Sequence, residues 1–210
     1  MRMTSLRLAV ALLALATPVL AQDYTAEQLQ ALFERQKQAF SAAQDSGMGQ
    51  TRGLKLVTVQ DVSSESAVSV QSQSSTSGES VTTAAADPNK PLVFGQLDPE
   101  LQVNLHIKFD FDSAALSASE KPKLETLCTV LRTADINVIR IVGHTDSSGS
   151  DDYNERLSVL RAKEVARHLV QECGIESGRL ETVGMGERFP FNAADPKADE
   201  NRRVEFQALS

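Results

Sequence analysis

Residues 137–173 read NVIRIVGHTDSSGSDDYNERLSVLRAKEVARHLVQEC and contain the most informative pattern for predicting the fold. Its first part, 137–142, is rich in Val and Ile and predicts a strand. A polar loop follows over 143–152, and the helical spacing of apolar residues over 153–173 predicts a helix that ends at Gly174 as a C-cap. We expect six apolar side chains of this helix to face a core: Leu157, Leu160, Val165, Leu169, Val170 and Cys173.

Elements of the same kinds lie on both sides of this unit. Apolar and polar residues alternate over 103–111, which predicts a half-buried strand. The apolar stripe of a second helix follows at Leu124, Leu127, Cys128 and Leu131. Two further short strands are predicted at 180–183 and 203–208. The order βαβαββ predicts an α+β domain over 99–210, with helices packed on one mixed sheet.

The N-terminus has the layout of a secretory signal peptide. Arg2 and Arg7 precede an uninterrupted apolar stretch over 8–16. Small residues then precede a cleavage site after Ala21. We therefore expect residues 1–21 to be removed on export to the periplasm. The apolar stretch is shorter than the roughly 20 residues of a spanning helix, so no transmembrane span is expected in the mature chain. Association with the outer membrane is left open.

Residues 22–62 are predicted to form an N-terminal helical segment. Thr25 and Gln28 fit a capping box at the start of an amphipathic helix over 25–43. The apolar face of this helix needs a partner, and two alternatives stay open. It packs on its own chain, or it docks another envelope protein or a second copy. A short strand is predicted over 54–62.

The composition then changes abruptly, because nine of the 18 residues over 63–80 are serine. Thr, Ala, Asp and Pro continue the segment beyond it. A chain of this composition buries too little apolar surface to offset its ordering entropy. The sequence therefore predicts a Ser/Thr-rich linker over 63–98 that tethers the C-terminal domain.

Composition argues against several functional classes. The chain has 28 acidic and 21 basic residues, no Trp and no run of Lys or Arg, so nucleic acid is not an expected partner. The three histidines are dispersed and no Cys/His cluster has metal-ligand spacing, so we expect no metal and no cofactor. His144 lacks a nucleophilic serine of the elbow type, which argues against an enzyme. Cys128 and Cys173 either form a disulfide or remain buried thiols.

The densest polar cluster lies where the central strand, loop and helix meet. Asn154, Ser158 and Arg161 are spaced at i, i+4 and i+7, so they share one stripe of the helix. Asp146 lies in the loop that leads into the same helix. An anion and a cation at one junction suit a zwitterion, whose ammonium would pair with the Asp and whose carboxylate would take a bidentate Arg.

The runs FDFDSAAL, GHTDSSGSDDYNERLSVLRAKEV, GMGERFP and NRRVEF together resemble the OmpA-like peptidoglycan-binding domain family. This resemblance implies a βαβαββ fold and non-covalent binding of the diaminopimelate of the peptidoglycan stem peptide. The family's HTD aspartate and LSxxR arginine, which hold the amino-acid end of that residue, correspond to Asp146 and Arg161. The implied binding set is Asp112, Thr145, Asp146, Asn154, Leu157, Arg161, Arg202 and Arg203.

Simpler interpretations of these residues stay open. Asp112 fits a strand-end Asx turn, and Arg203 alternates in phase with Glu205 as on a solvated strand face.

Three functions are consistent with the sequence. The leading hypothesis is a periplasmic peptidoglycan-binding module that tethers an envelope component. The second is a protein–protein adaptor. A cell-wall hydrolase comes last, because no second acidic pair or His set completes a catalytic site.

Overall fold

The computed structural model describes residues 24–46, 50–51, 53–58, 93–110 and 113–210. The predicted signal peptide, the predicted linker as far as residue 92, and Asp112 lie outside this part of the chain. The described helices are α1 (Ala26–Asp45), α2 (Glu125–Thr133) and α3 (Asp151–Gln171). The described strands are β1 (Gln50–Thr51), β2 (Leu54–Thr58), β3 (Val93–Leu97), β4 (Val103–Leu105), β5 (Ile139–Gly143), β6 (Leu180–Gly184) and β7 (Val204–Ala208).

The main sheet has the strand order β4-β7-β5-β6. β5 pairs in parallel with β6 and antiparallel with β7, and β7 pairs antiparallel with β4. Because α2 lies between β4 and β5 and α3 between β5 and β6, the predicted βαβαββ order and mixed α+β fold are confirmed. Alternate residues such as Ile139, Ile141 and Phe206 lie in one core with the apolar faces of α2 and α3.

Helix α1 packs on its own chain. The predicted capping box of Thr25 and Gln28 is present at its N-terminus. Leu29 and Phe33 are buried in the main core, while Phe40 lies in a second cluster with the small sheet. Of the two alternatives for the apolar face of 25–43, the described structure therefore favours packing on the same chain over docking of another envelope protein or a second copy.

A small sheet of order β1-β2-β3 covers part of the main sheet on the side away from α3. Phe94 of β3 packs with Val142, Val183 and Met185 there. The predicted end of the linker at residue 98 is corrected, because Val93–Leu97 form β3, which pairs with β2 along its whole length. Composition alone misses such a strand, since its partner lies far away in the sequence.

Two further details differ from the prediction. The strand expected over 103–111 pairs only over Val103–Leu105. Leu160 is 54% exposed, because α3 turns the stripe that contains Ser158, Ala162 and Val165 toward the sheet. Apolar character alone had placed Leu160 in the core.

Cys128 of α2 and Cys173, which follows α3, form a disulfide in the structure. It joins the two helices that cover the main sheet, at a sequence separation of 45. Among the described helices, none combines the length and the hydropathy that crossing a membrane would take.

Candidate functional site

The site is built around the loop between β5 and α3. Asp146 is 7% exposed and lies just beyond the end of β5. Its Oδ1 accepts a hydrogen bond from the backbone N–H of Ser148 at 2.8 Å, and its Oδ2 accepts one from Nη1 of Arg202 at 2.6 Å. Burial raises the pKa of Asp146, but these bonds outweigh it and hold the pKa below its usual value. The carboxylate is therefore ionised at neutral pH.

Close contact between α3 and the sheet positions the next residues. A Cβ on Gly143 would collide with the backbone carbonyl of Ser158, and one on Gly184 would collide with the Ser158 hydroxyl. That hydroxyl also accepts a hydrogen bond from the backbone N–H of Gly186 at 3.0 Å. Because α3 is held this close, Asn154 and Arg161, one turn to either side of Ser158, are fixed relative to β5.

Asn154 joins the site loop to the loop after β6. It is 2% exposed, and its Nδ2 donates to the backbone carbonyl of Asp146 at 3.2 Å. The same nitrogen donates to a carboxylate oxygen of Glu187 at 2.6 Å. Sequence reasoning missed Glu187, although it lies inside the GMGERFP run that helped to suggest the family. The Asn154 amide thus joins the backbone of Asp146 to the Glu187 carboxylate.

Arg161 lies on the other side of the site and is 7% exposed. Its guanidinium lies over the ring of Phe109, 4.8 Å from the ring centre, and its Nε donates to the carbonyl of Ser113 at 3.3 Å. Burial lowers the pKa of Arg161, yet an arginine remains charged at neutral pH. Among the described residues, no hydrogen-bond partner is found for its two terminal nitrogens.

A cavity of about 200 Å³ opens in front of Arg161. Arg202 lines it, as do Lys108 and His106 from the segment after β4. Asp199 contributes a carboxylate and pairs with Arg202. Lys108, Arg161 and Arg202 outnumber this carboxylate, so the cavity is cationic and suits a carboxylate ligand. The sequence pattern had placed His106 and Lys108 on the polar side of a strand without a role.

The two neighbouring arginines of the NRR motif point to different places. Arg202 is 39% exposed in its side chain and pairs with Asp146 in the site. Arg203 instead donates from Nε to Oδ1 of Asn104 at 3.1 Å, and from Nη2 to the carbonyl of Phe189 at 3.2 Å. The structure therefore does not bring Arg203 to the site, and it also corrects the expectation of a solvated strand face, because Arg203 and Glu205 are both buried.

Arg203 belongs to a buried charge network. Its Nη2 lies 3.8 Å from the Glu205 carboxylate, which lies 3.2 Å from Nε2 of His144. Burial and the charge of Arg203 lower the pKa of His144 to about 4, although Glu205 opposes the shift. His144 is therefore neutral at pH 7. Gln207 joins this network to β3, because its Nε2 donates to Glu205 and to the carbonyl of Gly95, each at 2.7 Å.

The remaining residues of the predicted binding set are Thr145, Leu157 and Asp112. Thr145 is buried, and its backbone N–H donates to the carbonyl of Gly186 at 2.9 Å, which aligns the site loop with the end of β6. Leu157 is half-buried on α3, between Asn154 and Arg161 in sequence. Asp112 lies outside the described residues, beside Ser113, whose carbonyl Arg161 contacts.

One set of possible metal ligands occurs in the described part of the chain. Cys128, His168 and Cys173 bring ligand atoms within 4.8 Å of one another, and all three are buried. Sulfur binds metals as a thiolate, whereas both sulfurs here are bonded to each other. The set therefore belongs to the core around the disulfide.

The family comparison agrees with this geometry. The model of the OmpA family matches residues 108–203, which contain Asp146, Asn154, Arg161 and Arg202. The match thus covers one domain of the chain, slightly less than half of its residues. The domain includes β5, α3 and β6, while α1 and the small sheet precede it.

Proteins similar to this domain include proteins of the bacterial envelope. Outer membrane porin F of Pseudomonas aeruginosa is 38% identical over 109 residues, which cover 51% of this chain and 31% of the porin. Outer-membrane lipoprotein YfiB of the same species is 32% identical over 107 residues, covering 50% of this chain and 63% of the lipoprotein. The chain thus matches less than two thirds of either protein.

A solved structure, the peptidoglycan-associated lipoprotein from Burkholderia pseudomallei, is 28% identical with a TM-score of 0.42. The similarity covers 48% of this chain and 86% of that one.

Proposed function

We propose that this protein binds peptidoglycan non-covalently through the diaminopimelate of the stem peptide and so tethers an envelope component to the cell wall. The observation that carries the proposal is the pairing of a buried Asp146 with a cationic cavity lined by Arg161 and Arg202. OmpA-like domains are known for association with peptidoglycan in envelope proteins, and the Burkholderia lipoprotein carries that association in its name.

The chemistry of the ligand fits the arrangement. The free end of diaminopimelate carries an ammonium and a carboxylate on one carbon. The ammonium would pair with Asp146, and the carboxylate would accept hydrogen bonds from the terminal nitrogens of Arg161. Arg202 pairs with Asp146 in the unliganded site and lines the cavity, so it can share the ligand carboxylate as well.

The proposed role is binding without catalysis, in the periplasm. The site holds two ion-pairing groups of opposite charge and a bridging amide, which suits reversible recognition. The relatives are proteins of the outer membrane. The envelope component that is tethered would be joined through the region before the domain or through the outer membrane itself.

Sedimentation with isolated sacculi tests this proposal. We would compare the wild type with Asp146→Asn and Arg161→Gln, two changes that remove the charge and keep a polar side chain. Arg156→Gln is the matched control, because Arg156 is an exposed arginine of the same helix. A hydrogen bond to a charged group contributes about 1.5–3 kcal/mol, so each site variant should bind about 10- to 100-fold more weakly.

Two results would contradict the proposal. If the wild type stays in the supernatant, the protein does not bind the wall and the adaptor function takes its place. If the folded site variants sediment like Arg156→Gln, the wall is bound elsewhere and the site assignment fails.

A further inference from the structure

A second cavity adjoins the cationic one. It measures about 340 Å³, within the size range of about 300–1,000 Å³ that is typical of ligand pockets. Its walls are largely apolar and come from three parts of the chain, namely the start of α1, the segment around β4, and the first turns of α2. The residues that line the cavity include Tyr24, Leu29, Leu105, Pro122, Thr126 and Leu127.

The two cavities share a wall in the segment that follows β4. His106 and Lys108 line both of them. A ligand whose end is held by Arg161 can therefore extend past these two residues into the second cavity without leaving the surface. The direction of extension leads away from Asp146 and toward α1.

The shared wall is positively charged. Lys108 is exposed, and among the described residues its ammonium pairs with no carboxylate. Lys123, which lines the second cavity, donates to Glu120 and to the carbonyl of His106 at 2.9 Å. The Glu120 carboxylate also accepts the backbone N–H of Lys108, so its charge is already compensated. Burial and these cations lower the pKa of His106, so it is neutral here.

Helix α1 supplies the part of the cavity that the OmpA-family segment lacks. Tyr24 and Leu29 precede the matched residues 108–203, and α1 is held in place by Phe33 in the main core. The hydroxyl of Tyr24 donates to the carbonyl of Gln102 at 3.4 Å, which fixes the rim of the cavity near β4. The position of α1 thus closes a groove that would otherwise be open on one side.

We infer that this second cavity is a subsite for the remaining residues of the stem peptide, whose diaminopimelate is held by Asp146 and Arg161. The inference rests on the proposed function and extends it. The apolar wall from α1 and α2 accepts alanine methyl groups, and Lys108 attracts the further carboxylates of the peptide. Helix α1 is then part of the ligand site as well as part of the core.

Calorimetric titration of the mature chain with two ligands tests the subsite. Free diaminopimelate reaches only the first cavity, whereas the stem tetrapeptide reaches both. Thr126→Trp fills the second cavity from a half-buried position on α2. Thr129→Trp, an exposed position on the same helix, is the matched control.

We expect the wild type and Thr129→Trp to bind the tetrapeptide more tightly than free diaminopimelate. Thr126→Trp should bind the tetrapeptide about tenfold more weakly, which corresponds to about 1.4 kcal/mol, and should keep its affinity for diaminopimelate. That retained affinity also shows that the variant is folded.

Two outcomes overturn the inference while the proposed function stands: equal tetrapeptide affinity in the two Trp variants, or equal affinity of the wild type for both ligands. If the wild type binds neither ligand, the proposed function itself fails.

Discussion

Gln36 offers a sharp test of how α1 is joined to the domain. It is fully buried in the middle of α1, between the residues that enter the main core and those that pack on the small sheet. Its Oε1 accepts the backbone N–H of Ala208 at 2.7 Å. Its Nε2 donates to the carbonyls of Leu101 at 2.7 Å and Phe206 at 3.1 Å. The side-chain amide thus continues the pairing of β7 beyond the end of β4.

The change Gln36→Met keeps the length of the side chain and removes all three hydrogen bonds. The Ala208 N–H would be left buried without an acceptor, which costs about 1–3 kcal/mol, and each lost bond to a carbonyl adds about 0.5–1.5 kcal/mol. The thioether gains some apolar burial in return. We expect the free energy of unfolding to fall by about 3 kcal/mol.

Urea denaturation followed by circular dichroism measures this difference. Gln38→Met is the matched control, because Gln38 is exposed on the same helix and should change stability by less than about 0.5 kcal/mol. The midpoint should shift at an unchanged slope if the folded state is otherwise the same. If Gln36→Met stays within about 1 kcal/mol of the control, the amide does not join α1 to β7 as argued.

Two further predictions concern stability. Replacing Cys128 and Cys173 by Ser removes a disulfide with a sequence separation of 45, and the loop-entropy model predicts a loss of about 4 kcal/mol; an unchanged guanidinium midpoint would contradict it. The pKa of His144 is lowered to about 4 when folded, so the unfolded chain takes up its proton as the pH falls below about 6.5. Stability should therefore decrease by about 2 kcal/mol between pH 7 and pH 5 from this residue alone. Denaturation at both pH values, compared with His144→Gln, measures this contribution, and an equal pH dependence in the two proteins would speak against it.

Local features were predictable because they depend on neighbours in sequence. The capping box at Thr25 and Gln28 and the helix that follows the polar loop are set by residues three or four apart. The shared stripe of Asn154, Ser158 and Arg161 follows from the same periodicity. The pairing of β3 with β2 was missed, because the partners are separated by the whole serine-rich segment.

The order of the strands and helices in the domain and the residue types at the β5–α3 junction could be predicted from the sequence, since both follow from hydrophobic periodicity and local motifs. The partner of each charged side chain, in contrast, depends on the tertiary structure. Arg202 and Arg203 are adjacent, yet one reaches Asp146 and the other a buried carboxylate, because neighbouring residues at the start of a strand face opposite ways. The tertiary structure also places α1 beside the second cavity, since that position depends on contacts between residues distant in the chain.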